Sequence, residues 1–202
     1  MILLSIPSPS ISFIELGPFK IHFYALCILT GIILAIWIAN RRLVRWGYQS
    51  GLALDVALWT VPIGVVGARI FHVLTHSGDY FYPGADVTAV FRIWEGGIAI
   101  YGGLIGGALG AWIGSKRAGI KFWDFTDAVA PGVLLAQAAG RWGNYFNQEL
   151  FGQPTTLPWG LEIDASNPAF PNGLPAETLF HPTFLYESSW SLIGVLVLLA
   201  LD

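Results

Sequence analysis

The chain has 202 residues, of which 54% are hydrophobic and only 11% are charged. Soluble domains carry about 25% charged residues, so the composition argues against an ordinary soluble domain and indicates a membrane protein. The net charge of -3 argues against a nucleic-acid partner, and a single cysteine, Cys27, excludes an intrachain disulfide.

Near its start the chain has a Pro- and Ser-rich, partly apolar stretch, SIPSPSISFIELGPFK, which we expect to lie along the membrane interface. The apolar run that follows has neither the basic start nor the cleavage site of a signal peptide, and RRLVR follows it as a stop-transfer pattern. A membrane helix needs about 20 mostly apolar residues. The sequence therefore predicts an all-α membrane protein, a polytopic transmembrane helix bundle with about five spans in this chain. The segments that meet or approach this length are 22–39, 52–74, 96–114, 124–139 and 183–201.

Two of these segments have features beyond their hydrophobicity. The second holds Asp55, Pro62 and Arg69, so we expect it to be kinked or to turn a polar side toward the bundle interior. The third reads GGIAIYGGLIGGALGAWIG, with glycines every four residues. In lipid, such a stripe lets another backbone come close. We favour helix packing as its role, and a smooth groove for acyl chains beside Tyr101 is the alternative.

Basic residues indicate the orientation in the membrane. Loops rich in Lys and Arg stay on the cytoplasmic side, so we assign the loops after the first and third helices to the cytoplasm. The N-terminus and the segments 75–95 and 140–182 are then outside. The segment 140–182 is too long and too rich in proline for a simple linker, and we interpret it as a small external cap within a single transmembrane domain of residues 1–202. The basic residues behind this assignment are six of the ten: Arg41, Arg42, Arg45, Lys116, Arg117 and Lys121.

Every predicted helix brings a polar group to the outer side of the membrane. Snorkelling side chains and interfacial aromatic residues produce such a pattern without any function. We keep that interpretation for each of the three tyrosines taken alone, and we favour a structural hydrogen bond for each of the two histidines. The residues are His22, Tyr24, Arg69, Tyr101, Arg141, His181, Tyr186 and Glu187.

Arg141 stands apart because the stretch that contains it, GRWGNYFNQELFG, also contains its chemical complements. If the helix continues, Asn144 lies three residues away on the same face, and Glu149 can pair with the arginine or act as a base. Guanidinium binds phosphate through two parallel hydrogen bonds, and the glycines allow close backbone approach. Two interpretations stay open at this point: a grip for a lipid head group, and a structural Arg–Glu pair that closes the cap.

The same stretch resembles the signature of the prolipoprotein diacylglyceryl transferase family. The match covers GRWGNYFNQE at residues 140–149 and then Gly152, with Tyr145 where the family usually has Phe. IHFYAL resembles the family's first-helix element, IYGGLIGG its third-helix motif and HPTFLYE the start of its fifth helix. The resemblance spans essentially the whole chain.

The resemblance implies a reaction. Members of the family transfer the diacylglyceryl group from phosphatidylglycerol to the thiol of the lipobox cysteine in a prolipoprotein signal peptide, and they release glycerol phosphate. This first step of lipoprotein maturation takes place among the lipids of the bacterial plasma (inner) membrane, at its outer leaflet. It needs no metal and no organic cofactor.

The resemblance also implies roles for individual residues. Arg141 is implied to bind the leaving phosphate, Asn144 to bind or orient the head group, and Glu149 to be the acidic partner. In full, the residues implied to be catalytic are Arg141, Glu149 and Tyr101, and those implied to bind substrate are Arg141, Asn144, Asn147, Gly152, Tyr24, His22, Gly102 and Gly103.

Two features of the chain depart from the family pattern. Many members have His where this chain has Tyr101, and phenols ionise near pH 10, so a tyrosine is a poor proton acceptor at neutral pH. The identity of the base that accepts the thiol proton therefore stays open, and the candidates are Glu149, His22 and the departing phosphate itself. Family members usually have seven spans, and a later one bears an Arg-x-x-x-Glu pair, whereas this sequence stops at Asp202. We accordingly expect the chain to be incomplete at its C-terminal end.

Two alternatives come from other functional classes. A small-anion transporter would place Arg141 and Arg69 in its pathway, and it predicts paired discontinuous helices in two halves of the chain. A non-catalytic lipid-binding membrane subunit would keep the family fold without turnover. Release of glycerol phosphate separates that subunit from an enzyme.

Overall fold

The computed structural model describes residues 5–17 and 19–202 and shows a mostly helical protein. The predicted domain of residues 1–202 therefore includes five positions, 1–4 and 18, that lie outside the described residues. The chain divides into two compact units, one of Met1–Ala35 with Ala130–Asp202 and the other of Ile36–Val129. Each of the predicted helical segments contains a helix: α1 Phe23–Arg45, α2 Leu52–Thr75, α3 Ile100–Ala118, α4 Phe122–Asn147 and α5 Thr183–Ala200.

Small sheets correct the prediction of an all-α chain. In the predicted interfacial stretch, β1 (Phe13–Leu16) and β2 (Phe19–His22) form an antiparallel hairpin in which Phe13 pairs with His22. His22 therefore ends a strand instead of opening the first helix. Aromatic and branched residues favour an extended backbone. Pairing the two strands also gives hydrogen-bond partners to backbone N–H and C=O groups that an apolar environment cannot satisfy.

The predicted external cap also has a sheet. The short strands β3 (Pro154–Thr155), β4 (Leu161–Glu162) and β5 (Leu179–Phe180) are antiparallel, with β5 in the centre. The helix α4 runs to Asn147, so residues 140–147 of the predicted cap segment belong to this helix, and the cap itself stays a prediction. Three short 3-10 helices follow α2: Ser77–Asp79, Val87–Phe91 and Ile93–Glu95.

Three helices in the described part of the chain are long and apolar enough to cross a membrane: Phe23–Arg45, Leu52–Thr75 and Thr183–Ala200. The helices α3 and α4 form where the sequence predicts them, but glycine contributes little apolar character to α3, and Asp124, Asp127 and Arg141 interrupt that of α4. The protein is thus a mostly helical membrane protein, and the number of five spans stays a prediction.

In the unit Ile36–Val129, α2 and α3 pack through the glycine stripe. A Cβ placed on Gly106 would lie 2.5 Å from the carbonyl oxygen of Ile63, and one on Gly110 would lie 2.6 Å from that of Trp59. Gly107, on the neighbouring row, has open space at its Cβ position. Packing is therefore confirmed for the row that faces α2. The core of this unit is Ala39, Leu43, Ala53, Val56, Ala111, Ile120, Phe125 and Ala128.

In the other unit, glycines again bring helix backbones together. A Cβ on Gly31 of α1 would lie 2.9 Å from the Cα of Ala136 in α4, and one on Gly132 would lie 2.8 Å from the Cα of Ala35. Outside the helices, the side chains of β4 and β5 pack on the start of α5 and the end of α4. This second core consists of Leu161, Ile163, Phe180 and Phe184, with Ile6, Tyr145, Phe151, Phe170 and Leu185 packed against it.

Candidate functional site

The last two turns of α4 carry the signature stretch, and a sharp bend follows them. Gln148 and Leu150 adopt left-handed backbone conformations, with φ of 51° and 52°, which residues other than glycine rarely take. The amide of Glu149 donates to the carbonyl of Asn144 at 3.0 Å, which closes the end of the helix. Because of this bend, the chain does not continue away from α4, and Glu149 lies close to the final turn of the helix. Backbone strain of this kind is concentrated at functional sites in proteins.

An ionic and amide network occupies this helix end. Nη2 of Arg141 lies 2.5 Å from Oε2 of Glu187, in the second turn of α5. Its Nη1 donates to Oδ1 of Asn144 at 3.4 Å, so Asn144 is on the same helix face, as its spacing predicted. Oε1 of Glu149 accepts from Nδ2 of Asn144 at 2.9 Å and from Nδ2 of Asn147 at 3.3 Å. Four of the predicted residues therefore meet in one cluster.

The carboxylate that pairs with Arg141 lies on α5. The sequence allows Glu149 either to pair with Arg141 or to act as a base. In the structure Glu187 pairs with Arg141, and Glu149 accepts from the two asparagine amides. The HPTFLYE motif contains Glu187 and was recognised as part of the resemblance, but no helical spacing rule connects it with Arg141. Both members of the ion pair are part-exposed, with 26% of the arginine side chain and 42% of the glutamate side chain accessible.

The guanidinium can still receive a ligand. It has five N–H donors, and the contacts to Glu187 and Asn144 are the two found for it among the described residues. The contacts to Glu187 and Asn144 orient the guanidinium, while its accessible part can present further N–H donors to an anion. Phosphate oxygens fit this arrangement because they accept parallel hydrogen bonds from an arginine fork.

Glycines of the signature hold the helix end against its neighbours. A Cβ on Gly143 would lie 2.6 Å from Cδ2 of Tyr24 and 3.2 Å from its Cα, so Tyr24, in the first turn of α1, packs directly on the signature helix. Gly152 donates its amide to the carbonyl of His181 at 3.0 Å, and a Cβ there would lie 2.8 Å from Cβ of His181. Thr183, at the start of α5, also contacts this segment, because its hydroxyl donates to the carbonyl of Leu150.

We expect Gly143→Ala to lower the thermal unfolding midpoint of the detergent-solubilised protein. The added methyl group meets both the ring and the backbone of Tyr24, and overpacking of this kind costs roughly 1–3 kcal/mol. Gly140→Ala is the matched control, because a Cβ there meets only Cδ1 of Ile28, at 3.4 Å. Equal midpoints for the two variants would contradict the close contact.

Gln148 is a structural member of the site that sequence reasoning left without a role. Its Oε1 accepts from Oγ of Ser8 at 3.1 Å and from the amide of Asp164 at 2.7 Å, and its Nε2 donates to the carbonyl of Pro9 at 3.2 Å. The carboxylate of Asp164 accepts from the amide and the hydroxyl of Ser166, which lowers its pKa. Gln148 thus ties the bend after α4 to the N-terminal segment and to the loop after β4.

The other predicted residues take these positions. His22 is exposed at the end of β2, with its ring centroid 5.5 Å from that of Phe13. Tyr101, Gly102 and Gly103 belong to the unit Ile36–Val129. Tyr101 is 66% exposed in the first turn of α3, with its ring centroid 6.2 Å from that of Phe71. Among the described residues, no group of three or more His, Cys, Asp or Glu side chains is placed to hold a metal ion.

Comparisons with known proteins agree with the signature. Residues 11–202 match the family model described as prolipoprotein diacylglyceryl transferase. A phosphatidylglycerol–prolipoprotein diacylglyceryl transferase of Leifsonia xyli subsp. xyli is 55% identical over 208 residues, which covers 98% of this chain and 62% of the relative. A protein of the same name from Paenarthrobacter aurescens is 51% identical over 98% of this chain and 64% of its own length. A third, numbered 2 in Streptomyces coelicolor, is 50% identical over 96% of this chain and 60% of its own length. The chain thus spans less than two thirds of the length of these curated relatives.

Proposed function

The chain belongs to the prolipoprotein diacylglyceryl transferase family, and we propose that it transfers the diacylglyceryl group of phosphatidylglycerol to the thiol of a prolipoprotein lipobox cysteine. The observation that carries this proposal is the guanidinium of Arg141, which Glu187 and Asn144 hold in a part-exposed position inside the family signature. Such a group binds the phosphate of a phospholipid head group.

The reaction is a displacement at carbon. The thiol sulfur attacks the glyceryl carbon that bears the phosphate ester, and a C–S bond forms as the bond between that carbon and the phosphate oxygen breaks. Glycerol phosphate leaves with the electron pair, and the thiol proton passes to a base. Because negative charge grows on the departing phosphate, a fixed guanidinium stabilises the transition state more than the ground state. We assign this role to Arg141.

The neighbouring residues have supporting roles. Asn144 and Asn147 both donate to one oxygen of Glu149, so their amides are oriented and present their remaining polar atoms to the head group. Tyr24 lies against Gly143 and supplies a head-group contact. We further propose Gly152, His22, Gly102 and Gly103 as substrate-binding positions and Tyr101 as a residue that orients the head group. The groups that can take the thiol proton are Glu149, His22 and the departing phosphate oxygen.

The proposed placement in the membrane follows from the basic residues. The last turns of α1 and α3 hold Arg42, Arg45, Lys116 and Arg117, which we assign to the cytoplasmic side. The N-terminus, the cap segment after α4 and the Arg141 cluster then face the outer leaflet of the bacterial plasma membrane. We propose that all of the α-helices span the membrane within one domain of residues 1–202, as part of a seven-span family fold. The substrates reach the site from the bilayer as phosphatidylglycerol and as a prolipoprotein signal peptide.

Arg69 weakens the anion-transporter alternative. That alternative needs two arginines with free donors in a pathway, but the guanidinium of Arg69 donates to four backbone carbonyls. A non-catalytic lipid-binding subunit shares the fold and the head-group site, and it differs from the enzyme only in turnover.

The test is a product assay on two forms of the protein, the 202-residue chain and the product of its complete reading frame. Each is purified in detergent and supplied with phosphatidylglycerol and a lipobox peptide. We expect glycerol phosphate and diacylglyceryl-modified peptide to appear in equal amounts with the complete form. Binding of phosphatidylglycerol without either product in both forms would contradict the enzyme and favour the lipid-binding subunit.

A further inference from the structure

Arg69 is a charged residue inside an apolar helix, and it is only 7% exposed. A buried charge in a helix apolar enough to cross a membrane is costly unless polar partners surround it, and such residues usually serve a function. The transfer chemistry assigned above does not use Arg69, so its position needs a separate explanation.

The partners of Arg69 are main-chain carbonyls from two places in the segment between α2 and α3. Its Nη2 and Nε donate to the carbonyls of Ala89 and Val90, at 2.6 and 2.9 Å. Its Nη1 donates to the carbonyls of Gly96 and Gly97, at 2.7 and 2.9 Å. A planar group with donors on several edges can make these bonds at once, whereas an ammonium group cannot.

The ring of Tyr80 completes the surroundings of the guanidinium. The centroid of that ring lies 5.1 Å from the guanidinium carbon of Arg69, within the range of a cation–π contact. The side chain of Arg69 therefore contacts three parts of the segment that follows α2. These are the turn at Tyr80, the 3-10 helix Val87–Phe91 and the glycine pair before α3.

The glycine pair shows how close this contact is. Gly97 has φ of +74°, and a Cβ there would lie 2.4 Å from Nη1 of Arg69 and 2.8 Å from the ring of His72. Only glycine fits both the backbone conformation and the space. Two residues later, the amide of Ala99 donates to the carbonyl of Ala68, the neighbour of Arg69, at 3.2 Å. Residues 96–99 are thus fixed along the end of α2, and α3 begins at Ile100.

We infer that Arg69 is a positioning residue that fixes the start of α3, and with it Tyr101. The inference rests on the proposed function in one respect, because Tyr101 was assigned there as a residue that orients the head group. We assign Arg69 no contact with either substrate. Its contribution is to hold the backbone that carries Tyr101, next to Gly102, whose own Cβ position is filled by Gly67 and Phe71 of α2.

The first test measures the backbone and does not depend on activity. In the product of the complete reading frame, Arg69→Lys is expected to raise hydrogen exchange at the amides of Ala99 and Gly103 by about tenfold or more, because local opening becomes easier. Arg92→Lys is the matched control, since Arg92 lies on the same segment but pairs with the exposed carboxylates of Asp86 and Glu95. Unchanged exchange in Arg69→Lys would overturn the inference.

A second variant keeps the arginine, in case Arg69→Lys does not fold. Gly97→Ala pushes a methyl group against the guanidinium and is expected to raise exchange at the same amides. Gly84→Ala is its control, because Gly84 also has a positive φ, of +89°, but has open space around its Cβ position. Equal exchange in the two alanine variants would overturn the inference.

A double-variant cycle then tests whether the positioning serves transfer. If Arg69 acts through Tyr101, combining Arg69→Lys with Tyr101→Phe reduces turnover no further than the worse single change. If the double variant instead loses turnover by the product of the two single losses, Arg69 does not act through Tyr101. Normal turnover of Tyr101→Phe alone would refute the proposed role of Tyr101. The hydrogen-exchange result would then still decide whether Arg69 positions the start of α3. A failure of the proposed function is therefore distinguishable from a failure of the inference on Arg69.

Discussion

Replacement of Arg141 by lysine is expected to lower turnover by about 100-fold, although the charge is unchanged, because the loss of a preorganised donor at a developing oxyanion costs on the order of 100- to 1,000-fold. An ammonium group cannot reproduce the planar fork that binds two phosphate oxygens through parallel hydrogen bonds. The measurement is glycerol phosphate release from phosphatidylglycerol at saturating lipobox peptide.

Arg117→Lys is the control for Arg141→Lys. Arg117, at the end of α3, lies over the ring of Trp59 at 4.6 Å and has no part in the proposed site. We expect this variant to retain normal turnover. Near-normal turnover of Arg141→Lys would show that a positive charge alone suffices, and the bidentate phosphate grip would be wrong.

The second large effect is expected on folding, from Gly106→Ala. A methyl group on Gly106 would meet the carbonyl oxygen of Ile63 at 2.5 Å and the Cα of Gly67 at 3.1 Å. Both obstacles are backbone, so α2 and α3 must move apart, and the cost is expected at the upper end of the overpacking range, about 3 kcal/mol. The thermal unfolding midpoint in detergent measures this loss.

Gly107→Ala separates packing from helix propensity. Gly107 follows Gly106 on the same helix and has open space at its Cβ position. Alanine favours a helix over glycine by about 1 kcal/mol, so this variant is expected to be as stable as the parent or more stable. A similar loss of stability in both variants would contradict the close packing of the Gly106 row on α2.

Helix positions could be predicted from hydrophobicity, whereas helix ends could not. The apolar pattern of α4 stops before Arg141, and the sequence therefore predicted an end at residue 139, yet the helix continues to Asn147. Packing extends it: Gly143 lies against Tyr24, and the ring centroid of Trp142 lies 5.3 Å from that of Phe184. Such contacts join residues far apart in the chain, and no local pattern contains them.

The candidate site was predicted to the extent that it is local in sequence. Asn144 follows Arg141 by three residues, so a helix brings the two together, and this expectation is confirmed by their hydrogen bond. Glu187 lies on another helix, and its pairing with Arg141 depends on how α4 and α5 pack. The bend at Gln148 and Leu150 was also not predictable, because neither residue type signals a left-handed backbone.

Chemical rescue tests whether the guanidinium of Arg141 binds the leaving phosphate. Glycerol phosphate release is measured for Arg141→Ala with added guanidinium or with the same concentration of methylammonium. We expect guanidinium to raise turnover by about tenfold or more and methylammonium to have no such effect, because only guanidinium has the planar fork. Equal rescue by both ions, or turnover of Arg141→Ala that matches the parent without any addition, would contradict this role of Arg141.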